Sequence, residues 1–417
     1  MRRIAWGLLL LFAFAAPWEY SLDLGAGLGN VARVAGILLL LAAAPAVAQS
    51  GRVRRPGAVG WLTLALYLWF CATYLWTIDP EGTLDRMRGF FQEMMAVWLI
   101  WELADDPRDL RSLMRALVAG SWVLTGVTLA SLSSPQAIAE NQIRFVADGQ
   151  DPNDVARFLD LSFPIAAVLA GCETGWLWRT LAWGYIPLGL AAVVLTASRG
   201  GFVAAMLALT GCALVLAGRH PRAVLMGAAG LPLLGAGLWF AIPHETLERL
   251  ATIPEQLQGG DLNQRLNIWD AGRHAFAQAP VLGTGAGTFA VAAGLHPLDT
   301  AHNTELSILV GGGLVASFLA LAIVTLAAKA TLGLRGPLRL GLATALLVWA
   351  VAAQVDTVEE NRLTWLLVGM IALAGRLGTE DPGGLARCFR GALRRDGHAM
   401  RTTPATGECD LQPGGGA

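Results

Sequence analysis

Three short stretches of this 417-residue chain hold side chains able to grip an anion and to move a proton. The first is Thr196-Ala197-Ser198-Arg199-Gly200-Gly201. Ser198 is a good helix N-cap, and the paired glycines let another group approach the backbone closely. Free N–H groups at a helix start, beside the Arg199 guanidinium, form an anion site; the plainer reading is an interfacial arginine with its stem in lipid. The second stretch runs from Asn263 to Phe276. Helical periodicity there puts Arg265, Trp269, Arg273 and Phe276 on one face, cationic and aromatic together. Such a face suits an anionic lipid, and would equally suit a helix lying flat at the headgroup boundary. The third is Ala301-His302-Asn303-Thr304-Glu305-Leu306, where Thr300 or Asn303 is placed to cap the next helix. His302 is the candidate general base. His296, Asp299 and His302 lack the carboxylate–histidine helix spacing of a metal site, so no metal ligand is assigned.

These stretches are carried by an apolar scaffold. The chain is 55% hydrophobic and 15% charged, against about a quarter charged in soluble domains. The composition predicts an all-α, polytopic membrane protein. Apolar runs predict spans near 4–19, 31–48, 58–76, 89–103, 112–130, 155–172, 177–195, 199–217, 222–243, 303–328, 336–353 and 362–376, about twelve in all. Met1-Arg2-Arg3 and the run after it are expected to be a retained first helix rather than a cleaved leader. The arginines at 52, 54 and 55, at 108, 111 and 115, and at 179, 219 and 222, with Lys329, Arg335 and Arg339, fall on one side. Asp79, Glu81, Asp151, Asp356, Glu359 and Glu360 fall on the other. The positive-inside bias therefore predicts both termini in the cytoplasm and the 244–301 loop in the periplasm.

Residues 1–377 form the integral membrane unit, and 378–417 are expected to be a disordered cytoplasmic tail. Arg86, Arg88, Arg144, Arg199, Arg249, Arg265, Arg273 and Arg362 break the charge trend by falling outside; Arg249 is placed to pair with Glu245. Five cysteines give neither a disulfide framework nor zinc spacing. No strand–helix alternation supports a nucleotide-binding domain. Gly283-Thr284-Gly285-Ala286-Gly287 lacks the strand and Lys-Ser/Thr of a phosphate loop and reads as a turn. Glu255, Asp261 and Asp270 dilute the basic residues, so no polybasic patch points to nucleic acid. Arg157, Asp160 and Glu93 lie within spans, as in transporters, but paired halves are not evident.

With these residues in view, the sequence resembles the O-antigen ligase and O-antigen polymerase superfamily of bacterial membrane glycan transferases. The resemblance rests on Leu195 to Gly201, on Arg265 with Trp269 leading to Pro280-Val281-Leu282-Gly283-Thr284-Gly285, and on Ala301-His302-Asn303 with Gly313-Leu314. Asp151-Pro152-Asn153 adds to it, and the firm part covers residues 150–325. It implies a GT-C-like fold of twelve or so helices with a large periplasmic loop, in the bacterial inner membrane. It also implies transfer of a glycan en bloc from undecaprenyl diphosphate to a hydroxyl, on lipid A-core for a ligase or on another glycan for a polymerase, without metal or cofactor. In that scheme Arg199 and Arg265 hold the diphosphate and His302 activates the acceptor. Arg273 is added from helical geometry, and Ser198, Trp269 and Asn303 are placed to touch substrate. Glu305 and Gly312 depart from the family's usual residues, which bears on the acceptor class.

Overall fold

The computed structural model describes residues 1–22, 24–25, 29–134, 143–147, 150–260, 264–296 and 299–390. The chain is an all-α polytopic membrane protein, and its described residues include ten helices long and apolar enough to cross a bilayer. In order, the helices are α1 (Arg2–Ala15, continued by a 3-10 turn, Ala16–Ser21), α2 (Val31–Ser50), α3 (Ala58–Thr73), α4 (Pro80–Leu103), α5 (Pro107–Ser131) and α6 (Pro152–Cys172). They continue as α7 (Trp176–Leu195), α8 (Arg199–Ala217), α9 (Pro221–Ala241), α10 (His244–Ala251), α11 (Ile253–Gly259) and α12 (Arg265–Gln278). The last are α13 (Phe289–Ala292), α14 (Thr304–Gly333), α15 (Gly336–Ala353), α16 (Arg362–Glu380) and α17 (Pro382–Phe389).

Every expected span coincides with a helix, but α3 and α4 are not among the ten. α3 is short at 16 residues. α4 starts at Pro80, nine residues ahead of the apolar run, because Asp79 caps it by accepting from Gly82 N–H at 3.1 Å. Its first half therefore carries Asp85, Arg86, Arg88 and Glu93. The same device, an aspartate cap followed by proline in the first turn, starts α5 at Asp106-Pro107 and α6 at Asp151-Pro152.

α6 is the hub, buried at every residue from Val155 to Ala170 and packed by α5, α7, α8 and α15. Small residues permit this closeness: Gly341 of α15 sits against Val168, and Gly211 of α8 against Thr344. α9, by contrast, buries none of its span. α14 is broken at Gly313 (φ 66°, ψ −166°). The 280–285 loop fills the break mainly with backbone: Thr284 N–H reaches Val310 O at 2.9 Å, joined there by Thr284 Oγ1 at 3.0 Å, Gly285 N–H reaches Gly311 O at 3.0 Å, and Leu314 N–H reaches Pro280 O at 2.9 Å. The glycine run is thus a splint for a broken helix. It needs glycine because a Cβ on Gly283 would lie 2.5 Å from Gly311 O.

The two ends of the bundle differ. One gathers the 143–147 segment, α10 to α13 and the 354–361 loop. At the other, Arg115 forks onto Glu173 at 2.7 and 2.6 Å, and Arg376 donates to Trp101 O and Ala104 O at 2.6 Å each. α17 also packs at that other end, with Leu385 and Phe389 buried. The boundary expected at 378 therefore falls inside α16, and the segment after it is helical to Phe389 because it carries an apolar pair on one face. Residues 391–417, with Cys409, and Asp261 lie outside the described residues.

Candidate active site

The site is assembled where α8 begins. Ser198 Oγ accepts from Gly201 N–H at 3.2 Å and donates to Asn153 Oδ1 at 2.8 Å, tying the cap of α8 to the start of α6. Ala197 ahead of it is left-handed (φ 48°), as are Gln264 (φ 65°), directly before Arg265, and His302 itself (φ 44°). Among the described residues these are the three non-glycine positions with positive φ, one in each chemical stretch. Each costs roughly 1 kcal/mol or more, and such strain collects where a fold must aim a functional group.

Arg199 and Arg265 meet in one cavity of about 190 Å³, together with Arg144, Arg249 and Trp269. Among the described residues no carboxylate lines it, while Val203, Ile253, Val351 and Val355 give it an apolar wall. Arg144 is held by Thr196 O at 3.1 Å and Asn153 Oδ1 at 3.0 Å, and Arg249 by Ala197 O at 3.2 Å rather than by Glu245. Among the described residues, Arg199 and Arg265 have no hydrogen-bond or ion-pair partner, so both forks are open. Burial, then the neighbouring guanidinium of Arg249, brings Arg144 down to about 10. Burial also lowers Arg249 and Arg265. Arg144, Arg249 and Arg265 stay cationic at neutral pH, and no anionic side chain is among the described residues lining the pocket.

Trp269 lines the cavity and donates from Nε1 to Ala301 O at 3.1 Å, joining α12 to the histidine segment. Arg273 is not brought to the cavity. Its side chain is 65% exposed and pairs with Asp270 at 2.9 Å. Each four-residue step drifts about 40° around a helix, so two steps from Arg265 turn Arg273 toward solvent. Phe276 packs beside Phe289 and Val310.

His302 Nδ1 lies 3.8 Å from Asp356 Oδ1 and 3.4 Å from Thr300 Oγ1. The first distance is an ion-pair separation, beyond a hydrogen bond. Asp356 Oδ2 accepts from Arg157 at 2.7 Å, and Arg157 also reaches Asp154 at 2.8 Å. Burial alone would push Asp356 up, but Arg157 and His302 outweigh it and hold the carboxyl at about 2. Asn303 acts as the cap of α14, accepting from Leu306 N–H at 2.8 Å and donating to Gln354 O at 3.2 Å. Asp356 and Arg265 line a small recess of about 30 Å³, which shares Asn153, Gly200, Arg265 and Val355 with the arginine cavity and has Asp160 at its wall. Asp160 is fully buried and neither carboxyl oxygen has a hydrogen-bond partner, since Arg157 turns to Asp154 and Asp356 instead. His296 and Asp299 meet each other, the backbone N–H of one donating to the other's carboxylate at 3.0 Å. No metal-holding cluster occurs among the described residues.

Anion cradle, open forks and a carboxylate-backed imidazole thus come from the segment between α7 and α14, set against α6 and the 354–361 loop. Residues 185–321 match the O-antigen ligase family model. The matched region contains Arg199, Arg265 and His302, and the match agrees with the ligase and polymerase superfamily that the three stretches resemble. The family implies glycosyltransferase-like activity on glycan and lipid-linked substrates. No curated protein matches the chain.

Arg144, Arg249, Asn153 and Asp356 join the site without having been selected from sequence, and of these only Arg249 lies within the matched region. The arginines carried a signal, since both fall on the wrong side of the charge bias. Asp356 carried none: only the fold brings it to His302 across 54 residues.

Proposed function

We propose that this chain is an O-antigen ligase, transferring a glycan from undecaprenyl diphosphate to a hydroxyl of lipid A-core. The reaction takes place at the periplasmic face of the bacterial inner membrane, with both termini cytoplasmic. The observation that carries the reading is a cavity lined by four guanidinium groups, with no acid among its described lining residues, beside a histidine backed by a carboxylate. Arginine binds phosphate oxygens bidentately and keeps its charge, so Arg199 and Arg265 grip the diphosphate. The apolar wall admits the first part of the polyprenyl chain. Trp269 borders the sugar, and Ser198 sets the amide groups of α8 toward the phosphate. His302 takes the proton of the acceptor hydroxyl as its oxygen bonds to the anomeric carbon. The bond from that carbon to the phosphate oxygen breaks, and lipid diphosphate leaves with the electron pair. The charge that a metal or nucleotide would otherwise neutralise is met here by arginine.

The test uses purified protein in nanodiscs, synthetic polyprenyl-diphosphate glycan and lipid A-core, with products resolved on gels. Wild type should form new glycosidic product, while Arg199→Ala, Arg265→Ala and His302→Ala should not. Normal transfer by all three variants would end the proposal. The superfamily's polymerase reaction is separated in a deletion strain. Loss of a ligase leaves bare core with accumulated lipid-linked polymer; loss of a polymerase leaves core bearing one repeat.

A further inference from the structure

The arginine cavity holds more positive charge than a glycan donor needs. In a donor, each phosphate is a diester and carries about one negative charge, so the diphosphate carries about two. Arg199 and Arg265, both unpaired, match that number. Arg144 and Arg249 are then in excess, and no carboxylate is among the described residues of the lining. Asp356 is engaged by Arg157 at 2.7 Å, and Asp151, which accepts from Asn153 N–H at 2.6 Å, offsets Arg144 and Arg265 in part from outside the lining, while Arg249 has no such acid beside it.

The reaction itself supplies the missing anion. When the anomeric carbon–oxygen bond breaks, the terminal phosphate becomes a monoester and the leaving lipid diphosphate gains about one further charge. A group that binds this charge contributes to the transition state and product, not to the bound donor. The backbone fixes both excess side chains ready for this. Arg144 and Arg249 hang from successive carbonyls, Thr196 O and Ala197 O, of the strained turn that launches α8.

Building on the transferase reading above, we propose that Arg144 and Arg249 are leaving-group residues, and that the cavity binds free polyprenyl diphosphate more tightly than the glycosylated donor. Two consequences follow. These arginines act on kcat more than on KM. The released lipid diphosphate therefore competes with fresh donor for the cavity and inhibits transfer.

The experiment uses full-length protein in nanodiscs and two probes, farnesyl diphosphate and its terminal methyl diester, which carries about one charge less. Wild type should bind the diphosphate about tenfold tighter than the diester, a difference of about 1.4 kcal/mol. Arg249→Ala should erase that preference and lower kcat about 100-fold, with donor KM little changed. Arg144 also bonds Asn153, so Arg144→Lys is used there to keep the charge; it should retain the preference. Equal wild-type affinity for the probes would overturn the proposal. So would an Arg249→Ala variant weakened equally toward both, or one raising KM alone, while the transferase reading still stood. Failure of wild type to transfer glycan at all, with neither probe bound, would instead remove that reading and this proposal together.

Discussion

Asp356→Asn is the substitution that tests the histidine's support. Asp356 Oδ2 meets Arg157 at 2.7 Å, and the two side chains are only 13% and 6% exposed, so solvent screens the pair little. A carboxyl held at about 2 instead of 3.8 is favoured as the anion by roughly 2 kcal/mol. Breaking a buried pair by removing one partner typically costs about 3–5 kcal/mol. Arg157 keeps Asp154 at 2.8 Å, which brings the expected loss down to roughly 2 kcal/mol. The amide would also leave His302 without the anion that steadies it. Loss of an orienting aspartate has cost about 10⁴ in kcat where it hydrogen-bonds the histidine directly. At 3.8 Å the link is weaker, and we expect about 100-fold. Asp154→Asn is the control, because it loosens the same arginine without touching His302. Detergent melting curves and nanodisc transfer assays on both variants decide the matter. Asp154→Asn should lose stability but transfer at close to the wild-type rate, while Asp356→Asn loses both. Unchanged kcat in Asp356→Asn, or equal kcat losses in the two variants, would refute the positioning role.

Arg273→Ala should transfer at nearly the wild-type rate in the same assay, since its side chain is exposed and outside the cavity; a loss matching that of Arg265→Ala would place it in the site after all. Gly313→Ala should yield little detergent-stable protein, because its backbone is one only glycine adopts readily and its Cβ would strike the Val281 carbonyl; strain and clash together cost about 3 kcal/mol or more. Glu359 is pushed up to about 7, first by burial and then by Glu360. The folded chain therefore holds that proton more firmly than the unfolded one, so stability should fall as pH rises from about 4.5 to about 7 and stay low above it. Glu359→Gln should flatten that slope in melting curves taken across the range.

The helices were legible because a bilayer demands long apolar runs, and caps such as Ser198 and Asn303 mark their starts. The start of α4 was not, since its first turns are charged and the polar cap at Asp79 outweighs hydropathy. Arg199, Arg265 and His302 were legible as motifs. Arg144 and Arg249 were visible only as exceptions to a charge rule, and local pairing with Glu245 was the natural first assumption for Arg249. Arg273 shows the reverse error: a face drawn over three turns ignores the slow rotation of the helix. Asp356 could not be read at all, because its partners come from α6 and from the entry to α14.

The splint in α14 also divides the machinery mechanically. Through it and Trp269, the loop bearing Arg265 is riveted to the helix that presents His302. Arg199 and its two neighbours on the α8 turn belong to the opposite jaw. Widening the mouth to admit a bulky sugar lipid, or to let its spent carrier go, would thus separate jaw from jaw and leave base and phosphate grip in register.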